Sequence, residues 1–348
     1  MQQERVIAFA PASVGNFGPF FDVMGFCLDH LGDYVEAKLT RDHNDVRLTE
    51  VIGPYAHELK NLNGNNCAFI VAKWLWEHYD RLVFGEKGLG IDLVLHKSMP
   101  TETGLGSSAA SCVAAAKAVI ELMGIKIGES EIIEALLTGE RDSTSHSYGD
   151  NVVPSFFGGV CLVEDDDRIE LPCPPLFVTA ILPDGKKMET GKQREVVGSF
   201  VDDLTKTPNR DDRIKDILGY IRFQSLNAGR LVNALHGDDI ETVQHVVSLN
   251  QHNLLNDART KDLSYFSEIR KTFIENGCGG CAISGSGPAL FGISSDISQA
   301  RQVKEKLLEK FPGAAWLVSN ISKEGAVIVN SIEEHMEKHA EFHSFWST

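Results

Sequence analysis

The chain has 348 residues, 43% of them hydrophobic and 24% charged, and carries a formal net charge of −16. Its length exceeds the usual single core and predicts two domains, while the acidic balance excludes a general binder of nucleic acid or anionic membrane, because phosphate-rich partners are repelled on average. No run reaches the roughly 20 apolar residues of a membrane helix and no N-terminal targeting pattern is evident, and an odd number of scattered cysteines suits reduced thiols, so a cytoplasmic protein is expected.

In chain order, Val6–Ala10 reads as a strand ending at Pro11. The turn-rich segment after it, Ala12–Gly25, holds two polar side chains, Asn16 and Asp22. They read either as ligand contacts or as ordinary turn chemistry, since Asn and Asp near Gly and Pro fold back on their own backbone. Tyr34–Leu39 alternates like a returning strand, and Asn61–Tyr79 reads as a helix with Ala68, Val71, Ala72 and Leu75 on one face.

The strand-like Ile91–His96 then runs through Lys97 into Pro100-Thr-Glu-Thr-Gly-Leu-Gly-Ser-Ser-Ala-Ala-Ser111. Gly104 and Gly106 permit positive φ and close backbone approach, so N–H groups can converge on an anion. A helix beginning near Ser107 aims its unpaired N–H groups and positive dipole end at the same place. Between Ser107 and Met123 only Lys117 and Glu121 are charged, which predicts a helix buried almost all round and stopped by Gly124. Taken alone, the stretch is either a phosphate cradle or an ordinary strand-to-helix turn. It lacks the Lys of a Walker loop and the third glycine of a dinucleotide fingerprint.

Glu131–Leu137 reads as a helix with Ser130 as its N-cap, leading to Glu140 and the polar loop Ser143–Asn151, which ends at Val152-Val-Pro154. Phe156–Val163 reads as a strand, and the acidic run Glu164–Asp167 as an exposed turn marking a domain boundary. The expected organisation is therefore residues 1–167, residues 168–330 and a charged helical tail, 331–348. In the second half, the strand Phe177–Leu182 precedes a polar loop carrying Thr190 and Arg194. Helices at Asp212–Leu235 and Ile240–Asn253, the stretch with Arg259, and a helix at Leu263–Glu275 follow. Cys278-Gly-Gly-Cys281 has redox or zinc spacing, but without a second pair it reads as structural. Cys281–Ile293 is a glycine turn between strands, Ile297–Phe311 a helix, and Trp316–Ser319 with Gly325–Val329 are expected to close the sheet of an α+β domain.

Three segments, in order and spacing, resemble the signature motifs of the GHMP small-molecule kinases. They are Ala10-Pro-Ala-Ser-Val-Gly-Asn-Phe-Gly-Pro-Phe-Phe-Asp-Val-Met-Gly25, Pro100 to Ala110, and Gly279-Gly-Cys-Ala-Ile-Ser-Gly-Ser-Gly-Pro288. Within that superfamily the chain resembles the homoserine kinases, through the first motif and through Asp150-Asn-Val-Val-Pro154 followed by Phe157-Gly-Gly159. The resemblance implies an N-terminal domain like ribosomal protein S5 domain 2, with a left-handed crossover, and a ferredoxin-like C-terminal GHMP kinase domain. It also implies ATP- and Mg²⁺-dependent phosphorylation of the side-chain hydroxyl of L-homoserine, and a homodimer. Another GHMP kinase of mevalonate type, or an inactive metabolite sensor on the same fold, are the competing expectations.

Carried over residue by residue, the resemblance assigns the nucleotide to Asn66, Lys97, Pro100, Gly104, Leu105, Gly106, Ser107, Ser108, Ala109 and Ala110, and the metal to Ser108 and Glu140. One hydroxyl and one carboxylate suffice, because Mg²⁺ takes oxygen ligands and keeps several waters. Asn16 is expected at the reacting hydroxyl, Asp22 on the substrate ammonium, and Arg194 and Arg259 on its carboxylate, which a guanidinium pairs in a fork. Thr190 precedes Arg194 at the family's interval. Tyr148 stands where many homoserine kinases carry His, with His146 two residues earlier. Asn151 occupies the position where some relatives place a catalytic Asp, so direct in-line transfer without a strong base is expected.

Overall fold

The computed structural model describes residues 4–59, 64–85, 88–144, 148–183, 210–250, 260 and 263–345. Two sheets organise them. The larger has seven strands: β1 (Arg5–Val14), β2 (Met24–Thr40), β3 (Val46–Ile52), β4 (Gly90–His96), β5 (Val160–Glu164), β6 (Asp167–Leu171) and β11 (Val327–Ile328). Its main path runs β11-β1-β2-β4-β3, with β5 pairing β2 and β6 pairing β5. The parallel pair β3 and β4 is joined through α1 (Cys67–Phe84).

The smaller sheet orders β10 (Ala315–Asn320), β7 (Phe177–Leu182), β9 (Leu290–Ser294) and β8 (Gly279–Ile283), all antiparallel. Numbered from the start of the domain this order is 4-1-3-2, with helices between the first and second and the third and fourth strands. That is the split βαβ arrangement expected of a ferredoxin-like unit.

Several local expectations change. Phe156 belongs to helix α4 (Gly149–Phe157), not to a strand, and the strand begins at Val160. The Gly, Asp and Pro of that stretch look like turn residues, yet Val152, Val153, Pro154 and Ser155 are all buried in a helix enclosed on most sides. Helix α3 spans Glu129–Thr144, so Ser130 lies inside it and is not its N-cap. The acidic run is the turn of the β5–β6 hairpin, so the larger sheet continues to Leu171, past the expected break at residue 167. Val327–Ile328 does not close the smaller sheet but pairs with β1 in the larger one.

Helix α2 (Ser107–Met123) carries the architecture. Of its 17 residues 13 are buried, and most of those are Ala, Ser, Val or Cys, small enough for the helix to lie close on β1 and β2. Gly124, at φ 63°, closes it with an αL cap, as its sequence predicts. One face enters a core with α1, α3 and the larger sheet through Ala109, Cys112, Val113 and Ala116. Ala110, with Leu105 before it, enters a second core shared by both sheets, which includes Val14, Phe26, Val178 and Phe291. Wedged between two cores, the start of α2 has little freedom to move.

The rest of the second half comprises helices α5 (Arg210–His236), α6 (Ile240–Asn250), α7 (Phe266–Glu275) and α8 (Ile297–Lys310). The tail forms helix α9 (Ile332–His339) and a 3-10 turn, Ala340–Phe342. It packs on β1 and β2, where Ile332 and Met336 join Phe9 and Tyr34. No helix among the described residues is long and apolar enough to cross a membrane.

Candidate active site

Three glycine-containing segments, far apart in sequence, meet at the entrance to α2. Gly104 and Gly106 both have positive φ, 84° and 69°. A Cβ on Gly104 would collide with the Ser284 carbonyl, and one on Gly106 with Ser13 Oγ, so glycine is required at both positions. Hydrogen bonds fasten the segments together. Ser284 Oγ donates to the Gly104 carbonyl at 2.7 Å and the Ala289 N–H to the Thr103 carbonyl at 3.0 Å. The Ser13 N–H donates to the Leu105 carbonyl at 3.2 Å, and the Gly285 N–H to the Gly15 carbonyl at 3.3 Å.

The entrance to α2 has unfilled anion-binding capacity. Its N-cap, Gly106, offers no side-chain acceptor to the first-turn N–H groups. Among the described residues, Ser107 Oγ is buried without a hydrogen-bond partner. An uncapped helix start, an orphaned hydroxyl and a glycine backbone fit a phosphate group. Pro100 and Leu105 are buried beneath the loop, whereas Ser108 faces solvent.

Ser108 Oγ donates to Glu140 Oε1 at 2.8 Å, bringing a hydroxyl and a carboxylate from α2 and α3 together at the cradle's mouth. This oxygen pair matches the ligand chemistry of Mg²⁺. Beneath it, Ser108 also contacts Cys67 Sγ at 3.3 Å. Burial pushes the Cys67 thiol up to about 12, with the Glu140 charge adding to the effect, so it stays protonated near neutral pH. Asn66 is the N-cap of α1, its Oδ1 accepting from the Ala68 and Phe69 N–H groups at 3.0 and 3.4 Å.

Lys97 departs from its expected role as a pocket-lining cation. It is 1% exposed and ion-paired with Asp33, and it donates to the Ser107 carbonyl and Ser111 Oγ, each at 2.9 Å. Asp33 is completed by Ser111 Oγ at 2.7 Å and by the Ser98 and Met99 N–H groups at 2.9 and 3.1 Å. A buried ammonium needs a paired, hydrogen-bonded anion. With Asp33 in that role, Lys97 holds the loop and the first turn of α2 from behind.

On the other side of the cradle stand Asn16 and Asn151. Asn16 has φ 61°, and its side chain is fixed at both ends. Oδ1 accepts from the Asp22 N–H at 2.8 Å, and Nδ2 donates to the Gly285 carbonyl at 3.4 Å. Asn151 Oδ1 accepts from Ser13 Oγ at 3.0 Å and lies against Gly106. The buried Asp150 carboxylate accepts from the Asn16 N–H at 2.9 Å and from Asn151 Nδ2 at 3.1 Å, locking the two asparagines together. Tyr148 is exposed at the start of α4. Thr190, Arg194, Arg259 and His146 lie outside the described residues.

Direct contacts thus link Asn16 to Asp22 through its backbone and Asn151 to Gly106, and they join Ser108 at the start of α2 to Glu140. Four contributors were missed in the sequence. Ser13 and Ser284 lie within the first and third motifs, so the motifs could have pointed to them. Asp150 adjoins Asn151. Asp33 carries no sequence signal, because its partner Lys97 is 64 residues away.

Comparison with known proteins agrees with this fold. The family model described as the GHMP kinases N terminal domain matches residues 66–159, and that described as GHMP kinases C terminal matches residues 231–313. The homoserine kinase of Pyrococcus abyssi is 35% identical over 304 residues, covering 86% of this chain and 92% of that protein. The crystal structure of homoserine kinase from Cytophaga hutchinsonii superposes with a TM-score of 0.80 at 28% identity, covering 94% and 98% of the two chains. Mevalonate kinase of L. major, solved with R-mevalonate, shares the fold at a TM-score of 0.68 and 16% identity, covering 92% of this chain and 96% of that one.

Proposed function

The chain belongs to the GHMP kinases, and we propose that it transfers the γ-phosphoryl group of ATP to the side-chain hydroxyl of L-homoserine, giving O-phospho-L-homoserine and ADP, a step towards threonine. The observation that carries the proposal is the meeting of three glycine segments at the uncapped start of α2, with the Ser108–Glu140 pair at its mouth. The relatives named homoserine kinase support this choice of acceptor.

Phosphoryl transfer needs positioning and charge neutralisation more than covalent help from the protein. The cradle from Pro100 to Ala110 would hold the triphosphate on backbone N–H groups and on Ser107 Oγ. Ser108 and Glu140 would hold Mg²⁺, which supplies charge neutralisation on the phosphate oxygens when bound. Asn66 would border the nucleotide through its amide Nδ2, since Oδ1 caps α1. Asn16 retains a second N–H with which to orient the acceptor hydroxyl. Asp150 is engaged with Asn16 and Asn151, and Asn151 cannot act as a base. Direct in-line attack, driven by orientation, is therefore the mechanism. The acceptor proton leaves with the phosphorylated product or to solvent.

Asp22 would pair with the substrate ammonium, and Arg194 and Arg259 with its carboxylate, while Thr190 and Tyr148 would border the acceptor. We further propose a homodimer, and a cytoplasmic location in keeping with seven cysteines that are all free thiols. The test is a coupled ADP assay with L-homoserine, R-mevalonate and other small alcohols. Turnover that requires homoserine and Mg²⁺ supports the proposal. Turnover with another alcohol alone, or tight binding without turnover, replaces it with a different kinase or a sensor.

A further inference from the structure

A second cluster of metal-ligating side chains lies where the C-terminal tail docks on β2, apart from the cradle. In the β1–β2 ladder Ser13 pairs with Cys27 and Pro11 with Gly32, so residues 28–31 leave the ladder as a bulge. Within the bulge His30 holds φ 70°, a left-handed conformation uncommon outside glycine. Bulges re-aim side chains, and here Asp29 and His30 meet α9. Ser319 fixes the bulge from beneath: the Asp29 N–H donates to Ser319 Oγ at 2.7 Å, and Ser319 Oγ donates to the Asp29 carbonyl at 3.1 Å.

From the tail, His335 and His339 stand one helical turn apart on one face of α9. His335 Nδ1 is engaged by Tyr34 Oη at 3.0 Å, and its ring lies 4.6 Å from that of His339. His339 turns its Nδ1 to His30 Nδ1 at 2.7 Å. The His30 ring is stacked flat on Phe342, with centroids 3.8 Å apart and planes at 13°, which fixes the direction of its nitrogen. Asp29 Oδ1 completes the group 3.7 Å from His30 Nδ1. One ligand atom from each of Asp29, His30 and His339 lies within 4.8 Å of the other two.

Two imidazole nitrogens facing each other at this distance must share a proton, one donating and the other accepting. A divalent ion with ligand distances near 2.0–2.2 Å can take that proton's place once the rings separate slightly. The side chains of His30 and Asp29 remain 13% and 34% exposed, so an ion can reach them. Two nitrogens and one carboxylate suit Zn²⁺ or Co²⁺, with water in the fourth position, and suit Mg²⁺ poorly.

We propose that Asp29, His30 and His339 form a Zn²⁺-class site that pins the C-terminal tail to β2, independent of the Ser108–Glu140 pair. The test is titration of the chelator-stripped full chain with Zn²⁺ by calorimetry and with Co²⁺ by visible absorption. One equivalent of Zn²⁺ is expected, with the ligand-field band of four-coordinate Co²⁺ and slower hydrogen exchange across residues 332–339. His30→Ala and His339→Gln should each lose that equivalent, and Asp29→Asn should weaken it about tenfold or more. Circular dichroism of the stripped variants establishes that they are folded. A wild-type chain that gives no Co²⁺ band, or Zn²⁺ binding unchanged in folded His339→Gln, would overturn the site and leave the histidine pair as a hydrogen-bonded latch.

Discussion

Two serines on the first turns of α2 meet opposite fates. Ser108 is exposed and bonded to Glu140 at the mouth of the cradle, whereas Ser111 is buried and bonded to Asp33 beside Lys97. Both groupings contain a carboxylate and a serine hydroxyl, and their serines stand only three residues apart in α2. Burial separates their work. Behind the loop, full hydrogen bonding is the condition for holding charge away from water, so the groups are spent on rigidity. In front, Ser108 is exposed beside Glu140, where a cation and a phosphate can be received. The cradle needs both: a mouth open to ligand, and a back that fixes the direction of its N–H groups before the ligand arrives.

The sharpest way to break this contrast is Lys97→Ala. It leaves the buried Asp33 without its counter-ion, and unfolding in urea should show a loss of about 3–5 kcal/mol. Replacing both partners, as Asp33→Leu with Lys97→Met, should cost less than Lys97→Ala alone, because no unpaired charge is left behind. Unchanged stability in Lys97→Ala, with weakened ATP binding, would move Lys97 to the front of the loop. Glu140→Ala should do the reverse, lowering kcat about 100-fold or more with the urea midpoint nearly unchanged. Gly106→Ala probes the seam between the two faces. Its positive φ and the nearby Ser13 Oγ should cost about 1–3 kcal/mol and raise KM for ATP together, a coupling neither other variant shows.

The smallest expected effect concerns Cys67, which lies beneath the front pair. Its folded pKa is raised to about 12 by burial, against roughly 8.5 for a free thiol. Its protonated state therefore supports the fold fully below pH 8.5, and that support declines as pH rises towards the folded value. At pH 9 the decline amounts to about 1 kcal/mol. Cys67→Ala should flatten the alkaline slope of stability by that amount relative to wild type, measured between pH 7 and 9.

Much of the front of the site was legible in the sequence, because it is local. The loop, its two positive-φ glycines, the span of α2 and its Gly124 stop follow from residues adjacent in the chain. Glu140 and Asn151 became legible only through their place in a family pattern. The back of the site was not legible. Lys97 adjoins the cradle, which suggests a phosphate contact, and only the pairing of β2 with β4 brings Asp33 to it. Helix α4 was hidden by its Gly and Pro, whose turn preference is overridden when Val152, Val153 and Pro154 bury against the sheet. The tail read as a charged helix of no evident role, because its histidines meet His30 and Tyr34 of β2, some 300 residues earlier.

The central claim is that this cradle serves transfer to an amino-acid alcohol, and its most direct measurement is ADP release with L-homoserine as the only acceptor. Release that requires both homoserine and Mg²⁺, collapses in Glu140→Ala and falls when Asp22 is replaced by Asn is the predicted result. Undiminished ADP release from wild type without homoserine, or turnover confined to an alcohol lacking an ammonium group, would contradict it.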